Sequence, residues 1–152
     1  MTQDSLKDHA QQLLAAAGLP SGEVIHEVVH PEHFGDGEVA LKVGPMHLRF
    51  VRQRGQDFVD VSPASVPGQY HQFGDVELAM GWKTVDQVWS KNEPEPLTSV
   101  VERLRAHYAE FSDAFSSARA SETLAKLRFA SRRRGAAFVD HLNRLAEAAR
   151  KK

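Results

Sequence analysis

The sequence predicts an α+β domain in which an N-terminal helix precedes an antiparallel three- to four-stranded β-meander. Two or three C-terminal helices are expected to pack on one face of the sheet. Three observations favour this: alternating apolar runs in the centre of the chain, Gly-containing pairs between them, and helical apolar spacing in the last third. We expect one domain over residues 1–152, because this length is typical of one domain. It divides into residues 1–91, a linker at 92–96, and a helical, basic segment at 97–152.

The first helix is predicted over residues 5–17. Ser5 can cap its N-terminus, and Gly18 followed by Pro20 ends it. The apolar residues at helical spacing are Leu6, Leu13, Leu14 and Ala17.

The meander is predicted from three short runs, Glu38–Val43, Met46–Gln53 and Gln56–Val61. The pairs Gly44–Pro45 and Arg54–Gly55 separate these runs, and Gly-containing pairs between alternating runs are typical of β-hairpins. The hairpin at Arg54–Gly55 is therefore the centre of the predicted sheet.

The segments after the meander are shorter and less regular. Residues 62–74 contain two prolines and two glycines and are expected to form a loop. Asp75–Met80 fits either a strand or one helical turn that ends at Gly81. Thr84–Gln87 has the form of a capping box and predicts a short helix.

The last third of the chain carries two apolar stripes at helical spacing. A break is expected near Ser112–Ser121, and Ser131–Gly135 interrupts the second stripe, so the second region is predicted as one helix or two. The first stripe consists of Val100, Val101, Leu104, Tyr108, Phe111 and Phe115, and the second of Leu124, Leu127, Phe138, Leu142, Leu145 and Ala149.

The composition excludes several classes of protein. The chain has no cysteine, which rules out a disulfide framework, thiol catalysis and zinc sites with Cys ligands. The polar N-terminal residues do not resemble a secretory signal, and no run has the 18 or more apolar residues of a transmembrane helix. We expect a cytoplasmic protein with no membrane partner and no cofactor.

The charge is divided along the chain. Residues 1–100 contain 7 Lys/Arg and 14 Asp/Glu, a net of −7, whereas residues 101–152 contain 12 and 6, a net of +6. Arg132, Arg133 and Arg134 form a candidate basic patch for nucleic acid. The alternative is that these side chains pair with the acidic first two-thirds of the chain.

The residues His26-Glu27-Val-Val-His30 match the H-E-x-x-H pattern of zinc metallopeptidases. That chemistry needs both histidines on one helical face, with the glutamate as general base. Pro31 follows His30 directly and disfavours a helix there; residues 23–30 fit a strand or a short helix. We interpret the motif as coincidental and assign no catalytic residue, while His26, His30 and His33 remain candidates for adventitious metal binding or pH sensing.

The hairpin at residues 48–61 has the sequence Leu-Arg-Phe-Val-Arg-Gln-Arg-Gly-Gln-Asp-Phe-Val-Asp-Val. It resembles a segment of small bacterial proteins, among them immunity proteins of bacterial toxin systems. The resemblance covers under a tenth of the chain and implies a non-enzymatic protein that neutralises a cognate toxin by occupying its active site or substrate groove. An acidic surface would suit a basic partner, because opposite charges steer association.

The sequence thus predicts a protein-binding module whose partner is another protein, such as a toxin domain. The alternatives are a nucleic-acid-associated protein that uses the basic C-terminal helices, and a zinc metallopeptidase-like protein that uses His26, Glu27 and His30. On the predicted hairpin, Arg49 and Arg52 fall on opposite faces. We therefore expect the hairpin to serve as scaffold and not as the binding surface.

Overall fold

Five antiparallel strands follow one another across the sheet in the order in which they occur in the chain. The structure, a computed structural model, describes residues 5–30, 32, 35–89 and 95–151. The strands are β1 (Glu23–His30), β2 (Asp36–Val43), β3 (Met46–Gln53), β4 (Gln56–Pro63) and β5 (His71–Gln72). The predicted meander is confirmed and is one strand longer than expected, because residues 23–30 form a strand and two residues of the predicted loop pair with β4.

The hairpin between β3 and β4 turns at Arg54 and Gly55, as predicted, with Gln53 opposite Gln56. Both turn residues have positive φ, 53° for Arg54 and 75° for Gly55, which is the backbone of a type I′ turn. Left-handed backbone is unfavourable for a residue with a side chain. The Asp36 carboxylate accepts a hydrogen bond of 2.9 Å from the Arg54 backbone N–H and thereby stabilises the turn.

The first helix, α1, spans Leu6–Ala16 and agrees with the prediction. The Ser5 hydroxyl caps it by accepting a hydrogen bond from the Asp8 N–H at 3.1 Å. From the middle of the helix, the Gln11 side chain donates to the Gly22 carbonyl at 2.6 Å and accepts from the Gly22 N–H at 3.1 Å. This pair of bonds joins α1 to the start of β1.

Five further helices follow the sheet within the described residues. They are α2 (Phe73–Ala79), α3 (Val85–Trp89), α4 (Leu97–Ala106), α5 (Tyr108–Ala114) and α6 (Ala120–Arg150). Residues 75–80, which fitted a strand or a helical turn, belong to α2 and its C-cap. The predicted capping box is confirmed, since Thr84 and Gln87 exchange side-chain to backbone hydrogen bonds at 2.9 and 3.3 Å.

Of the two alternatives for the last region, one helix or two, the structure has one, because α6 runs through Ser131–Gly135 without a break for 31 residues. One glycine in a helix costs only about 1 kcal/mol, and arginine is a good helix former. The predicted break before it is confirmed by the gap between α5 and α6.

The core lies between one face of the sheet and the helices. Apolar side chains at alternate strand positions are fully buried there, and one hydrophobic cluster extends from Leu6 in α1 to Leu127 in α6. On the sheet its members include Leu41, Leu48, Phe50 and Val61. α6 forms an outer layer, packed against α2 and α3. Most of the predicted linker, residues 92–94, lies outside the described residues.

Candidate functional site

A groove runs beside the open edge of β4. β5 pairs with β4 only at Asp60 and Val61, so no strand of the described chain lies beside residues 56–59. Instead, α2, α3 and α4 face this edge across a groove of about 640 Å³. Alternate residues of an antiparallel strand direct N–H and C=O to the same side, and Gln56 and Phe58 direct theirs toward β3, so the backbone groups of residues 57 and 59 face the groove. The volume is within the range of ligand clefts, roughly 300–1,000 Å³.

The helical wall of the groove carries a network of paired charges. The Glu77 carboxylate accepts hydrogen bonds of 2.9 and 3.1 Å from the Arg103 guanidinium and lies 3.2 Å from Lys83 Nζ. Arg103 also donates to Glu95 at 2.6 Å. Burial alone would lower the pKa of Arg103, but its hydrogen bonds to Glu95 and Glu77 outweigh that effect and raise the pKa. This wall is therefore fixed in place by ion pairs.

The strand wall is held by cross-strand pairs on the two faces of the hairpin. On one face Arg52 donates to Asp57 at 2.8 and 3.0 Å, and this hydrogen bonding raises the pKa of Arg52. On the other face Arg49 donates to Asp60 at 2.8 Å. The opposite placement of Arg49 and Arg52 agrees with the strand alternation expected from the sequence.

An aromatic side chain, Tyr70, packs beside the strand wall. The Arg49 guanidinium lies 4.1 Å from the centre of the Tyr70 ring. Burial raises the pKa of Tyr70, Glu38 and Asp60 raise it further, and Arg49 opposes them. Tyr70 thus remains a neutral hydroxyl beside a row of charges.

The rim of the groove carries apolar surface at Phe58, whose side chain is 44% exposed in the middle of the open edge. Val59 beside it is buried, and Val88 and Val100 line the groove from α3 and α4. The groove combines a strand edge with no strand beside it among the described residues, an apolar rim and charged walls. This combination suits an extended peptide, which can add to a sheet edge as a further strand.

The groove did not emerge from the sequence because it depends on where β5 ends and on how three helices face β4. One signal was present, since Arg49 and Asp60, like Arg52 and Asp57, are equidistant from the Arg54–Gly55 turn. A two-residue hairpin brings such pairs together. That symmetry would have predicted both ion pairs, though not the space beside them.

The H-E-x-x-H residues lie on a strand, since Glu23–His30 forms β1. On a strand, residues four apart are about 13 Å from each other along the chain, whereas the motif requires them one helical turn apart. His26 lies 3.3 Å from Glu38 and His30 lies 3.4 Å from Glu32, and His33 lies outside the described residues. No group of three or more His, Asp or Glu among the described residues is arranged to hold a metal ion.

The candidate basic patch separates into three environments. Arg134 donates to the buried Asp75 carboxylate of α2 at 2.6 and 3.1 Å. Arg133 lies 5.9 Å from the centre of the Phe129 ring. Arg132 lines a shallow pocket with Arg128 and His71. The sequence left two alternatives for these arginines, a nucleic-acid surface or ion pairs with the acidic part of the chain. Arg134 forms an ion pair of the second kind.

A second exposed surface lies on the C-terminal half of α6. The predicted stripe is buried at Leu124 and Leu127 but exposed further along, where the side chains of Phe138, Val139, Leu142 and Leu145 are about half exposed. Large exposed apolar side chains grouped on one helix are typical of an interaction surface.

The described part of the chain contains no helix that is long and apolar enough to span a membrane. In comparisons with known proteins, no family model, no curated protein and no solved structure matches this chain.

Proposed function

We propose that this chain is a non-enzymatic protein-binding module that takes up an extended segment of another protein along the open edge of β4. The observation that carries the proposal is that residues 56–59 form a strand edge facing a groove, with no described strand beside them. A peptide in the groove would gain backbone hydrogen bonds from this edge and apolar contact with Phe58. This proposal departs from the expectation that the hairpin is scaffold only, because β4 is the second strand of that hairpin. The side of the bound peptide that faces away from β4 would contact the ion-paired wall formed by α2 and α4.

Charge favours a basic segment as the partner. Among the described residues the groove is lined by five carboxylates and three cationic side chains, and Arg52 pairs with one of these carboxylates, Asp57, which leaves an excess of one negative charge. The carboxylates belong to Glu38, Asp57, Asp60, Glu77 and Glu95, and the cations to Arg49, Lys83 and Arg103. Residues 1–100 as a whole have a net charge of −7. An acidic surface raises the association rate of a cationic partner and makes it dependent on salt.

A selection from a random peptide display library tests the proposal without a known partner. We expect the selected peptides to carry basic residues and alternating apolar residues, and to protect the backbone amides of residues 57 and 59 from hydrogen exchange. The variant Phe58→Lys should weaken the selected peptides by about tenfold or more, because it replaces apolar contact with a charge that repels them.

The matched control is Val24→Lys on β1, the strand at the other edge of the sheet. Val24 and Phe58 are equally exposed, at 44%, so the two substitutions change similar surfaces. The control should leave peptide affinity unchanged. Selected peptides that bind both variants equally, or that leave the amides of residues 57 and 59 unprotected, would place the binding site elsewhere and contradict the proposal.

The specific form of this function that the hairpin resemblance implies is neutralisation of a bacterial toxin in the cytoplasm. Support for it comes from the acidic groove, which suits a basic partner such as a nuclease. Co-expression with a toxin encoded beside this gene should rescue growth, and Phe58→Lys should abolish the rescue while Val24→Lys retains it. Rescue by both variants would separate toxin neutralisation from the groove.

Nucleic-acid binding stays a second prediction, supported by the exposed side chains of Arg128, Arg132 and Arg133. Replacing Arg132 and Arg133 with Gln should reduce affinity for duplex DNA and lower the salt slope by about one unit for each phosphate that is no longer neutralised. Affinity that is absent at low salt, or unchanged in this variant, would remove the prediction. The zinc alternative is checked by elemental analysis of untagged protein.

A further inference from the structure

The apolar face of α6 continues past the end of the fold. Phe138, Leu142 and Leu145 each lie 18 residues after a buried residue of the same helix, which is five full turns at 3.6 residues per turn. Their buried counterparts are Ala120, Leu124 and Leu127. The face that packs against α2 and α3 in the first half of α6 is therefore repeated in the second half, where it is exposed.

We infer that this face binds the same face of a second copy of the chain, with the two helices antiparallel. The large and small side chains of the exposed stripe, Phe138, Leu142, Leu145 and Ala149, are spaced four, three and four residues apart. This spacing is the same when it is read backwards. An antiparallel pair therefore places Leu142 opposite Leu145 of the partner subunit, and Phe138 opposite Ala149 of the partner subunit.

The side chains on either side of the stripe also suit close contact between two helices. The neighbouring positions are Gly135, Val139, Ala146 and Ala148, together with His141. Small residues let helix axes approach to the shorter end of the usual 8–10 Å range. The contact line between the two helices, here called the seam, would have Phe opposite Ala at both ends and Leu opposite Leu in the middle. Large and small side chains then alternate, as a close-packed interface requires.

The charges of this segment are placed where they do not oppose pairing. Between residues 135 and 149 the charged residues are Asp140, Arg144 and Glu147, and the helical rotation of 100° per residue puts all three outside the stripe and its neighbours. Asp140 and Arg144 form an ion pair with each other on that outer side. A nucleic acid or an anionic membrane would instead need the cations to border the contact face.

The length of α6 beyond Arg134 equals, to within one helical turn, the length over which the two antiparallel helices would overlap. With Leu142 opposite Leu145 of the partner subunit, Arg150 at the end of one helix lies opposite Ala137 of the partner subunit. Position 137 lies within one turn of Arg134, which ties α6 to α2 through Asp75. The two helices therefore overlap over the portion of α6 beyond its anchor, and each ends close to where the partner's fold begins.

The interface is small, since two segments of this length bury less than the roughly 1,600 Å² of a standard protein interface. We therefore expect a dissociation constant in the micromolar range. Sedimentation equilibrium from about 5 to 500 µM should show the mass rising from 16.9 kDa towards twice that value.

Replacing both Leu142 and Leu145 with Asp should weaken dimerisation at least tenfold, because it places four carboxylates in the seam. The matched control is Asn143→Asp, which adds a carboxylate to the outer side of the same turn and should leave the dimer intact. A monomer throughout the concentration range, or equal weakening by the control, would overturn the inference. Binding of the monomer to anionic vesicles or DNA through this face would overturn it as well.

The absence of cysteine from the chain allows a direct test of orientation. The variants Phe138→Cys and Ala149→Cys should form a disulfide with each other when mixed, because these positions are opposite in the antiparallel pair. Each variant alone should not form one, since two copies of position 138 would be about 16 Å apart. Disulfides within each single variant and none between them would indicate parallel helices and overturn the proposed arrangement.

Discussion

The two halves of α6 have the same apolar spacing and opposite surroundings. In the first half, Leu124 and Leu127 are buried against α2 and α3, and in the second half Leu142 and Leu145 are about half exposed. The helix is continuous between them. The comparison shows that periodicity identifies the face of a helix that favours burial, whereas the neighbouring elements decide whether that face is covered.

The two halves should differ most in how much a Leu→Ala substitution lowers the free energy of unfolding. Leu127→Ala should lower the free energy of unfolding by about 2–5 kcal/mol, because it removes a fully buried side chain and leaves a cavity. Leu145→Ala should change it by less than about 0.5 kcal/mol, because Leu145 is 53% exposed. Urea unfolding at low protein concentration, where the chain is monomeric, checks both. Similar losses at both positions would show that the second half is covered in the monomer.

The boundary between the halves is the Arg134–Asp75 ion pair. Arg134→Gln should lower the free energy of unfolding by about 2–3 kcal/mol, because Asp75 is 2% exposed and would keep a buried charge without its partner. This value is below the usual range for buried pairs because Arg134 is itself 29% exposed. The neighbouring Arg133→Gln provides the control and should have an effect within about 0.5 kcal/mol. Equal effects would mean that the pair does not anchor α6.

Gly135 is the first residue of the exposed half of α6. Its substitution should raise the free energy of unfolding, whereas the substitutions above lower it. Gly135→Ala should stabilise the helix by about 0.5–1 kcal/mol, because a Cβ at this position meets no atom within 4 Å and alanine favours the helix. Hydrogen exchange of the amides in residues 136–150 should slow, while exchange in the first half should not change. Faster exchange in that segment would show that the glycine is required there.

The smallest effect concerns His71, which lines a shallow pocket with Arg128 of the buried half of α6. Burial lowers the pKa of His71 from 6.5, Arg128 lowers it further, and Asp75 and Asp60 oppose them. The unfolded chain therefore binds more protons just below pH 6.5, and stability should fall as the pH decreases through that window. His71→Gln should reduce this slope in pH-dependent unfolding experiments. A slope equal to that of the unsubstituted chain would assign the effect to other groups.

Much of the fold could be predicted from local patterns. The Arg54–Gly55 turn, the Ser5 cap and the Thr84–Gln87 capping box depend on residues close together in sequence, and each was predicted correctly. The short strand β5 was missed because two residues carry no periodicity. The choice between one helix and two in the last region stayed open, and one helix forms because one glycine and three arginines do not outweigh the helix-forming residues around them.

Little of the candidate site could be predicted in the same way. The groove depends on the point where β5 leaves β4 and on how the three successive helices α2, α3 and α4 pack relative to that edge. The motif at His26–His30 had the correct residue types but lies on a strand, where the spacing no longer brings the two histidines together. The three arginines at 132–134 have the charge that a nucleic-acid surface needs, yet one of them, Arg134, is bound to Asp75 and anchors α6.

The sequence by itself determined most of the secondary structure and the apolar face of each long element, because these depend on turn chemistry, capping and periodicity over a few residues. It did not predict β5 or the break between α4 and α5. Only the tertiary structure decided that Leu127 is covered and Leu145 is exposed, that Arg134 is paired, and that the edge of β4 is open. Those outcomes depend on contacts between segments far apart in the chain, and no local pattern specifies which surface meets which.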